Sequence, residues 1–369
     1  MISQKFSYFS YLIDNSINYL LYWVETYYHN HKERRSKMKS IRLAILGITG
    51  LVGQTMLGIL ESKNLPIEEL SVFASARSAG NKITFKGKEI EIQELTEDAI
   101  RQGKFDYILS ALESDISKTF SPIAASIGSL VIDNSSCFRM DPEVPLVVPE
   151  ANGDDALNNK GIIANPNCST IQSVVALIPI LENFGIKRII YNTYQAVSGS
   201  GVNGVKDLEE GIKGGKNTFY PHQIAFNVLP HIDDFLDTGY TKEEMKMIDE
   251  TRKMFHKPDL PITATTVRVP VRGAHSISIN VETEKPVDIN ELRNIYINTQ
   301  GIVLEDDVQN NVYPLALNTE GKDEVFVGRI RKDYSVENGI NLWCTADNIR
   351  KGAALNAIQI LEYVLEHKE

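Results

Sequence analysis

In the first half of the chain, short apolar runs alternate with stretches in which apolar residues recur every three or four positions. "IRLAIL" (Ile41 to Leu46) is six mostly apolar residues and predicts a strand buried on both faces. Val52, Met56, Leu57 and Leu60 follow at helical spacing. Further strand-like runs come at "LSVFAS", "FDYILSAL" and "SLVID", with helical segments between them, the second strand being Leu70 to Ala74. This βαβ rhythm predicts an α/β fold with a doubly wound sheet. Later, Pro166 ends a strand and "IQSVVALIPIL" reads as an apolar helix beginning at Ser169 and Thr170. "TTVRVPVRGAHSISINVE" reads as a strand pair holding Arg268 and His275.

Composition narrows the class. The 369 residues are 43% apolar and 23% charged, enough for two domains of ordinary globular make-up. A net charge of −10 argues against nucleic acid, which needs a basic face. The three cysteines (Cys137, Cys168, Cys344) make no disulfide framework and no zinc pattern, so no metal is expected and the compartment is read as reducing, hence cytoplasmic. Residues 1–37 differ from the rest, being rich in Tyr, Ser and Asn with a basic end. Their longest uncharged run, Asn15 to Val24, is about half a membrane span, so no membrane association is expected. They read as a start-site artefact, a weak amphipathic targeting segment or a disordered extension.

Gly47, Gly50 and Gly53 punctuate the turn between the first strand and its helix. Such a turn lets the backbone approach a pyrophosphate whose charge rests on the helix N-terminus, although GxxGxxG is less specific than GxGxxG. With Thr49, Leu51 and Val52 it forms the candidate cofactor loop of a Rossmann-like domain. The second strand ends in "SARSAG". An NAD site places a carboxylate there for the ribose 2′-hydroxyl, whereas Ser75, Arg77 and Ser78 suit a 2′-phosphate, so the cofactor is read as NADP.

Cys168 stands where a helix begins, and unpaired N–H groups there favour thiolate. For a lone cysteine a buried structural role would be the commoner reading. His275, with Arg268 seven residues before it, supplies a base and a cation, and together these residues indicate thiohemiacetal chemistry on an aldehyde. The Asn167-Cys168 turn offers its N–H groups as an oxyanion site.

At this point "GITGLVG", "DNSSCFRMDPEVPLVVPEAN", "NPNCST", "YQAVSGSG", "RVPVRGAHS" and "DNIRKGAALNAIQI", in this order, resemble the aspartate-semialdehyde dehydrogenase family over residues 39 to 367. The resemblance implies reversible NADP-dependent conversion of L-aspartate 4-semialdehyde and phosphate to L-4-aspartyl phosphate, on the way to lysine, threonine and methionine. It makes Cys168 the thioester nucleophile and His275 the general acid/base, with a pKa near working pH. Gln195 orients the acyl group, and Ser198, Gly199 and Asn348 meet the cofactor. Arg139 and Lys246 hold phosphate, Arg268 grips the substrate carboxylate and Glu243 sits near its amino group. The domains expected are 38–165 with 348–369 for nucleotide, and 166–347, an α+β unit for catalysis and dimerisation. The partners implied are the small-molecule substrates and a second copy of the chain, as homodimer or homotetramer.

Two alternatives stand beside this reading. N-acetyl-γ-glutamyl-phosphate reductase does the same chemistry, but its nucleophile follows glycine and precedes an aromatic residue. A non-catalytic nucleotide-binding relative would be free to lose the thiol or the base, and this chain has both.

Arg77→Ala is expected to raise the NADP Michaelis constant about tenfold or more, since a charge-assisted bond contributes roughly 1.5–3 kcal/mol. The NAD constant should hardly move. Steady-state kinetics with both cofactors checks this, and equal weakening of the two would contradict the reading of the loop.

Overall fold

The computed structural model describes residues 39–367, and the expectation for residues 1–37 lies outside them. The first sheet holds seven strands, β1 (Ile41–Leu46), β2 (Ile67–Ala74), β3 (Lys82–Phe85), β4 (Lys88–Glu94), β5 (Tyr107–Ser110), β6 (Leu130–Asp133) and β7 (Ile162–Ala164). Their spatial order is β3-β4-β2-β1-β5-β6-β7, parallel throughout except for the β3–β4 hairpin. That hairpin was not legible as an apolar run because its residues are mostly exposed. β2 starts at Ile67, three residues before the expected Leu70. Glu68 and Glu69 therefore lie inside the strand, where its first residues project into solvent.

Leu43 to Leu46 of β1 are fully buried because helices cover both faces of the sheet. Helices α1 (Leu51–Ser62) and α8 (Leu355–His367) pack on one face, against Leu43, Ile45 and Val72. Helices α2 (Glu97–Gln102) and α3 (Ser114–Ser126) pack on the other, against Ala44, Leu46 and Phe73. The strand order reverses at β1, which places a crevice at its carboxyl end. α1 leaves from that point and lies close upon the turn: a Cβ on Gly53 would come within 2.3 Å of the Gly47 carbonyl oxygen.

The second sheet is mixed. Its strands are β8 (Arg188–Gln195), β9 (Ile262–Arg268), β10 (His275–Glu282), β11 (Ile302–Leu304), β12 (Val325–Asp333) and β13 (Gly339–Ala346), in the order β11-β12-β13-β10-β8-β9. Contrary to the strand pair expected from the sequence, β9 and β10 are not paired with each other. β8 lies between them, parallel to β9 and antiparallel to β10, and the connecting residues cross over its end. Arg268 and His275 are thus the last and first residues of strands on either side of Gln195.

α4 (Cys168–Phe184), α6 (Lys242–Met254) and α7 (Ile289–Ile297) cover one face of this sheet, and α5 (Gly201–Ile212) follows its first strand. Every residue of α4 from Ser169 to Ile180 is buried, so its apolar and small polar side chains need partners all round. The opposite face of the sheet carries Tyr194 and Trp343, whose rings lie 5.4 Å apart, and is partly open. Among the described residues no helix is long and apolar enough to cross a membrane.

The chain returns to the first sheet through a π-helical turn, Arg350–Ala354, ahead of α8, so the last helix starts later than Asn348. Asp347 holds the turn's start by accepting the Ile349 and Arg350 N–H groups. Lys351 is buried to 1% exposure and donates to Glu150 at 2.7 Å, Gln359 at 2.7 Å and Asn356 at 3.2 Å. Lys351→Ala should cost about 3 kcal/mol of stability, because it leaves the half-buried Glu150 carboxylate without its cation. Urea unfolding of the variant checks this, and a loss under about 1 kcal/mol would mean that water reaches Glu150.

Candidate active site

The polar groups of the molecule gather at the N-terminus of α4. Asn167 is its N-cap, with Oδ1 accepting the Ser169 N–H at 2.9 Å and the Thr170 N–H at 3.3 Å. Cys168 is the first helical residue and is partly accessible. The π turn presses against it from the far end of the chain: a Cβ on Gly352 would lie 2.9 Å from the Cys168 Cβ.

α6 supplies the carboxylates that face this turn. Glu243, buried, accepts Asn167 Nδ2 at 3.0 Å and Gln195 Nε2 at 3.1 Å on Oε1, and Lys246 Nζ at 3.2 Å on Oε2. Lys246 also binds Asp233 at 2.7 Å, so it stands between two carboxylates and is held above its ordinary pKa by Glu243 and Asp233, although burial opposes this. Glu250 takes the Asn167 N–H at 2.6 Å on Oε2 and Arg139 Nη1 at 3.1 Å on Oε1. The Asn167 amide is therefore not an oxyanion donor, contrary to the expectation for the turn. An intramolecular carboxylate already occupies it, which leaves the Cys168 N–H as the candidate at this turn.

His275 and Arg268 approach from the second sheet. The Ala196 N–H donates to His275 Nδ1 at 3.0 Å, and Arg268 Nη1 donates to the Ala196 carbonyl at 2.6 Å, so one residue of the β8 exit orients both. Ala274, just before the histidine, holds φ +61°, a left-handed conformation that costs a non-glycine residue about 1 kcal/mol. His275 Nε2 and Arg268 Nε are buried without a hydrogen-bond partner. Gly199 lies over both: a Cβ there would come within 2.8 Å of Arg268 Nη1 and 3.2 Å of His275 Nε2.

The protonation states differ from what helix placement alone predicts. Burial pushes the Cys168 thiol up to about 11; the Glu243 carboxylate adds to this, and Arg268, Arg139 and the Ser169 N–H only partly offset it. Burial likewise holds His275 well below its ordinary value, reinforced by the Arg268 charge. Burial thus favours the thiol at Cys168 and the neutral imidazole at His275. With Nδ1 accepting from Ala196, we assign the ring proton to Nε2.

The cofactor candidates occupy the adjoining crevice. A cavity of about 360 Å³ is lined by Leu51, Ser198, Asn348, Arg272, Glu320 and Asp347, among others. Ser198 Oγ donates to Asn348 Oδ1 at 3.1 Å, while Asn348 Nδ2 is buried and unpartnered. Gly47 and Ile48 both donate to the Phe73 carbonyl, which brings the glycine turn (Gly47, Thr49, Gly50, Leu51, Val52, Gly53) beside the exposed turn of Ser75, Arg77 and Ser78. None of the hydrogen bonds of the cysteine cluster reaches Ser75, Arg77 or Ser78. The structure thus links Cys168, Gln195, Glu243, Lys246 and Arg139 to one turn, sets Arg268 and His275 under the cofactor candidate Gly199 beside Gln195, and keeps Ser75, Arg77 and Ser78 apart. Among the described residues no group of His, Cys, Asp and Glu is arranged to hold a metal ion.

Glu250 and Gly352 were not singled out from the sequence. For Glu250 a signal existed: it follows Glu243 by seven residues, two helical turns, which puts both carboxylates on one face of α6. For Gly352 there was none, because its partner is 184 residues away in a different element.

The family model described as "Semialdehyde dehydrogenase, NAD binding domain" matches residues 42–159, and "Semialdehyde dehydrogenase, dimerisation domain" matches residues 177–351. The chain is 51% identical to the aspartate-semialdehyde dehydrogenase of Aquifex aeolicus over 334 residues, 88% of this chain and 98% of that one. It is 44% identical to that of Bacillus subtilis, over 88% of this chain and 97% of its relative. Among solved structures, aspartate semialdehyde dehydrogenase II of Vibrio cholerae complexed with ASA superposes with a TM-score of 0.86 at 43% identity, covering 90% of this chain and all of that one. The Candida albicans aspartate semialdehyde dehydrogenase with NADP superposes with a TM-score of 0.70 at 25% identity, covering 88% of this chain and 98% of its own.

With the thiol at about 11, its thiolate fraction rises roughly tenfold per pH unit over the neutral range. Iodoacetamide labelling of Cys168 in the free protein should therefore accelerate by about that factor between pH 7 and 8, and again to pH 9. Peptide mapping across this range checks it. A rate that is flat above pH 7 would show a preformed thiolate instead.

Proposed function

This chain belongs to the aspartate-semialdehyde dehydrogenase family, and on that footing we propose that it converts L-aspartate 4-semialdehyde and phosphate reversibly to L-4-aspartyl phosphate with NADP, a step of amino-acid biosynthesis. The observation that carries this reading is the convergence beneath Gly199. A buried arginine with a free N–H and a buried imidazole with a free Nε2 lie under one backbone point, and the charge of the same arginine acts on the partly accessible Cys168 thiol at the helix N-terminus. No carboxylate of the described residues pairs with Arg268. An unpaired buried guanidinium calls for an anionic ligand, and a planar carboxylate suits its fork.

Cys168 Sγ forms the bond to the aldehyde carbon, and Gln195, fixed by Glu243 and Thr193, orients the acyl group. Addition of a thiol to an aldehyde moves one proton from sulfur to oxygen. His275 Nε2–H donates its proton to the aldehyde oxygen as the S–C bond forms, and Nε2 takes the sulfur proton in the same step, because the Ala196 amide holds Nδ1. The Cys168 N–H supports the negative charge on oxygen. The nicotinamide dinucleotide, when bound, supplies hydride acceptance. The unpartnered Asn348 Nδ2, Ser198 and the crevice beside the glycine turn fit its nicotinamide half, and Ser75, Arg77 and Ser78 fit a 2′-phosphate. Phosphate then cleaves the thioester. Arg139 and Lys246 are its proposed cations, with Lys246 exchanging part of its contact to Asp233 and Glu243. Glu243 remains the group for the substrate ammonium.

The half-open face of the second sheet, with Tyr194 and Trp343, and the match to a dimerisation domain support a homodimer. Assembly of two dimers into a tetramer, and a cytoplasmic setting in which the thiol stays reduced, are part of the same proposal.

Formation of NADPH that needs aspartate semialdehyde, phosphate and NADP together tests the activity. Cys168→Ala should abolish it while leaving NADP binding nearly intact. Arg268→Lys keeps the charge and loses the fork, so the Michaelis constant for the aldehyde should rise about tenfold and that for phosphate much less. Equal rises for both substrates would remove Arg268 from the carboxylate role.

A further inference from the structure

Glu250 is buried to 1% exposure and uses both carboxylate oxygens at once. Oε2 accepts the amide of Asn167, the residue before the cysteine, at 2.6 Å, and Oε1 accepts Arg139 Nη1 at 3.1 Å. Arg139 is itself nearly enclosed. Its Nε donates to the Asn165 carbonyl at 2.9 Å and its Nη2 to the Asn134 carbonyl at 2.9 Å. Three of its five N–H donors are thereby fixed, and the other two are left for an external acceptor. One helical turn beyond Glu250, Lys253 Nζ gathers the carbonyls of Arg139 at 2.7 Å, Asp141 at 2.7 Å and Val144 at 2.8 Å. One face of α6 therefore grips the Arg139 loop twice, by side chain and by backbone, and ties it to the turn that carries the thiol.

We propose that Glu250 is a positioning residue for the phosphate half of the reaction: it fixes the direction of the Arg139 guanidinium relative to Cys168, so that the two remaining N–H donors meet a phosphate attacking the thioester. This rests on the placing of phosphate at Arg139 under the proposed function. A purely structural ion pair would be expected to join the arginine to the carboxylate alone. Here the second oxygen takes the amide next to the nucleophile, so one rigid carboxylate couples the direction of the guanidinium to the turn that carries the thiol.

Glu250→Gln keeps an acceptor for the Asn167 amide and sets an NH₂ group against the guanidinium, so it disturbs the arginine selectively. Glu250→Asp keeps the charge but is one methylene too short to span both partners. In the full-length enzyme either variant should raise the Michaelis constant for phosphate by about tenfold, with that for aspartate semialdehyde within about twofold of wild type. In an Arg139→Ala background, Glu250→Gln should add nothing further to the phosphate constant. If Arg139→Ala alone leaves the phosphate constant unchanged, the placing of phosphate at Arg139 fails, and this inference with it. If Arg139→Ala raises it and a folded Glu250 variant does not, the positioning role alone is wrong. Parallel rises for both substrates, or additive effects in the double variant, would equally overturn it and leave Glu250 a structural residue. Should Glu250→Gln not fold, Glu250→Asp and its combination with Arg139→Ala decide between the same outcomes.

Discussion

The N-terminus of α4 is the constraint on which the rest of the structure depends. A helix buried on every side must be enclosed by other elements, and a helix start cannot be buried without satisfying its free N–H groups. Both demands are met at one place. The second sheet, α6 and α7 close around the apolar length of α4, while Asn167, Glu250 and the π turn close around its beginning. Because the enclosing elements come from four distant parts of the chain, the residues they bring along become neighbours. The reactive centre is in this sense a by-product of burying a helix end.

The same enclosure sets the electrostatics. The charges of Glu243, Arg268 and Arg139 act on one thiol, and all three side chains are removed from water. Glu243 and Glu250 balance Lys246 and Arg139, which leaves Arg268 as the cation with no carboxylate partner among the described residues. Burial raises the thiol and lowers the imidazole, so each prefers its neutral form until a ligand arrives. Under the proposed function, an anionic substrate that meets Arg268 would supply the missing countercharge. The position of Gly199 follows from this need, since any side chain there would fill the space above the histidine and the arginine.

Polar order extends outward from the turn. Asn356 of α8 donates to Asn165 and to the Val147 carbonyl, and Asn165 donates to Asn134 and to the Ala353 carbonyl. Lys351 meets Asn356 on its other side. A continuous buried hydrogen-bond chain therefore runs from the last helix, through the loop that anchors Arg139, to the cysteine. Such a network rigidifies a site when every member is satisfied. Here it joins α8, which packs on the first sheet, to α6, which packs on the second.

Much of this was determined by the sequence itself. The unbroken apolar run of β1, the glycine turn and the recurring βαβ pattern specify a doubly wound sheet, because burial on two faces and a tight turn leave visible marks in a single stretch of chain. Cys168, His275 and the arginines were legible as candidate chemistry by type and by motif, and the family by the order of six motifs. Tertiary structure decided what depends on partners remote in sequence. The exposed β3–β4 hairpin has no apolar signature, and β8 slips between β9 and β10 because pairing of parallel strands is set by packing. A helix N-terminus by itself predicts a lowered thiol, yet burial and Glu243 reverse the sign, and neither is written near Cys168. The amide of Asn167 was read as free for an oxyanion, but Glu250, 83 residues away, had already taken it. Local rules fix where a residue begins its element. Only the closed fold fixes what surrounds it, and a charge in low dielectric is governed by its surroundings.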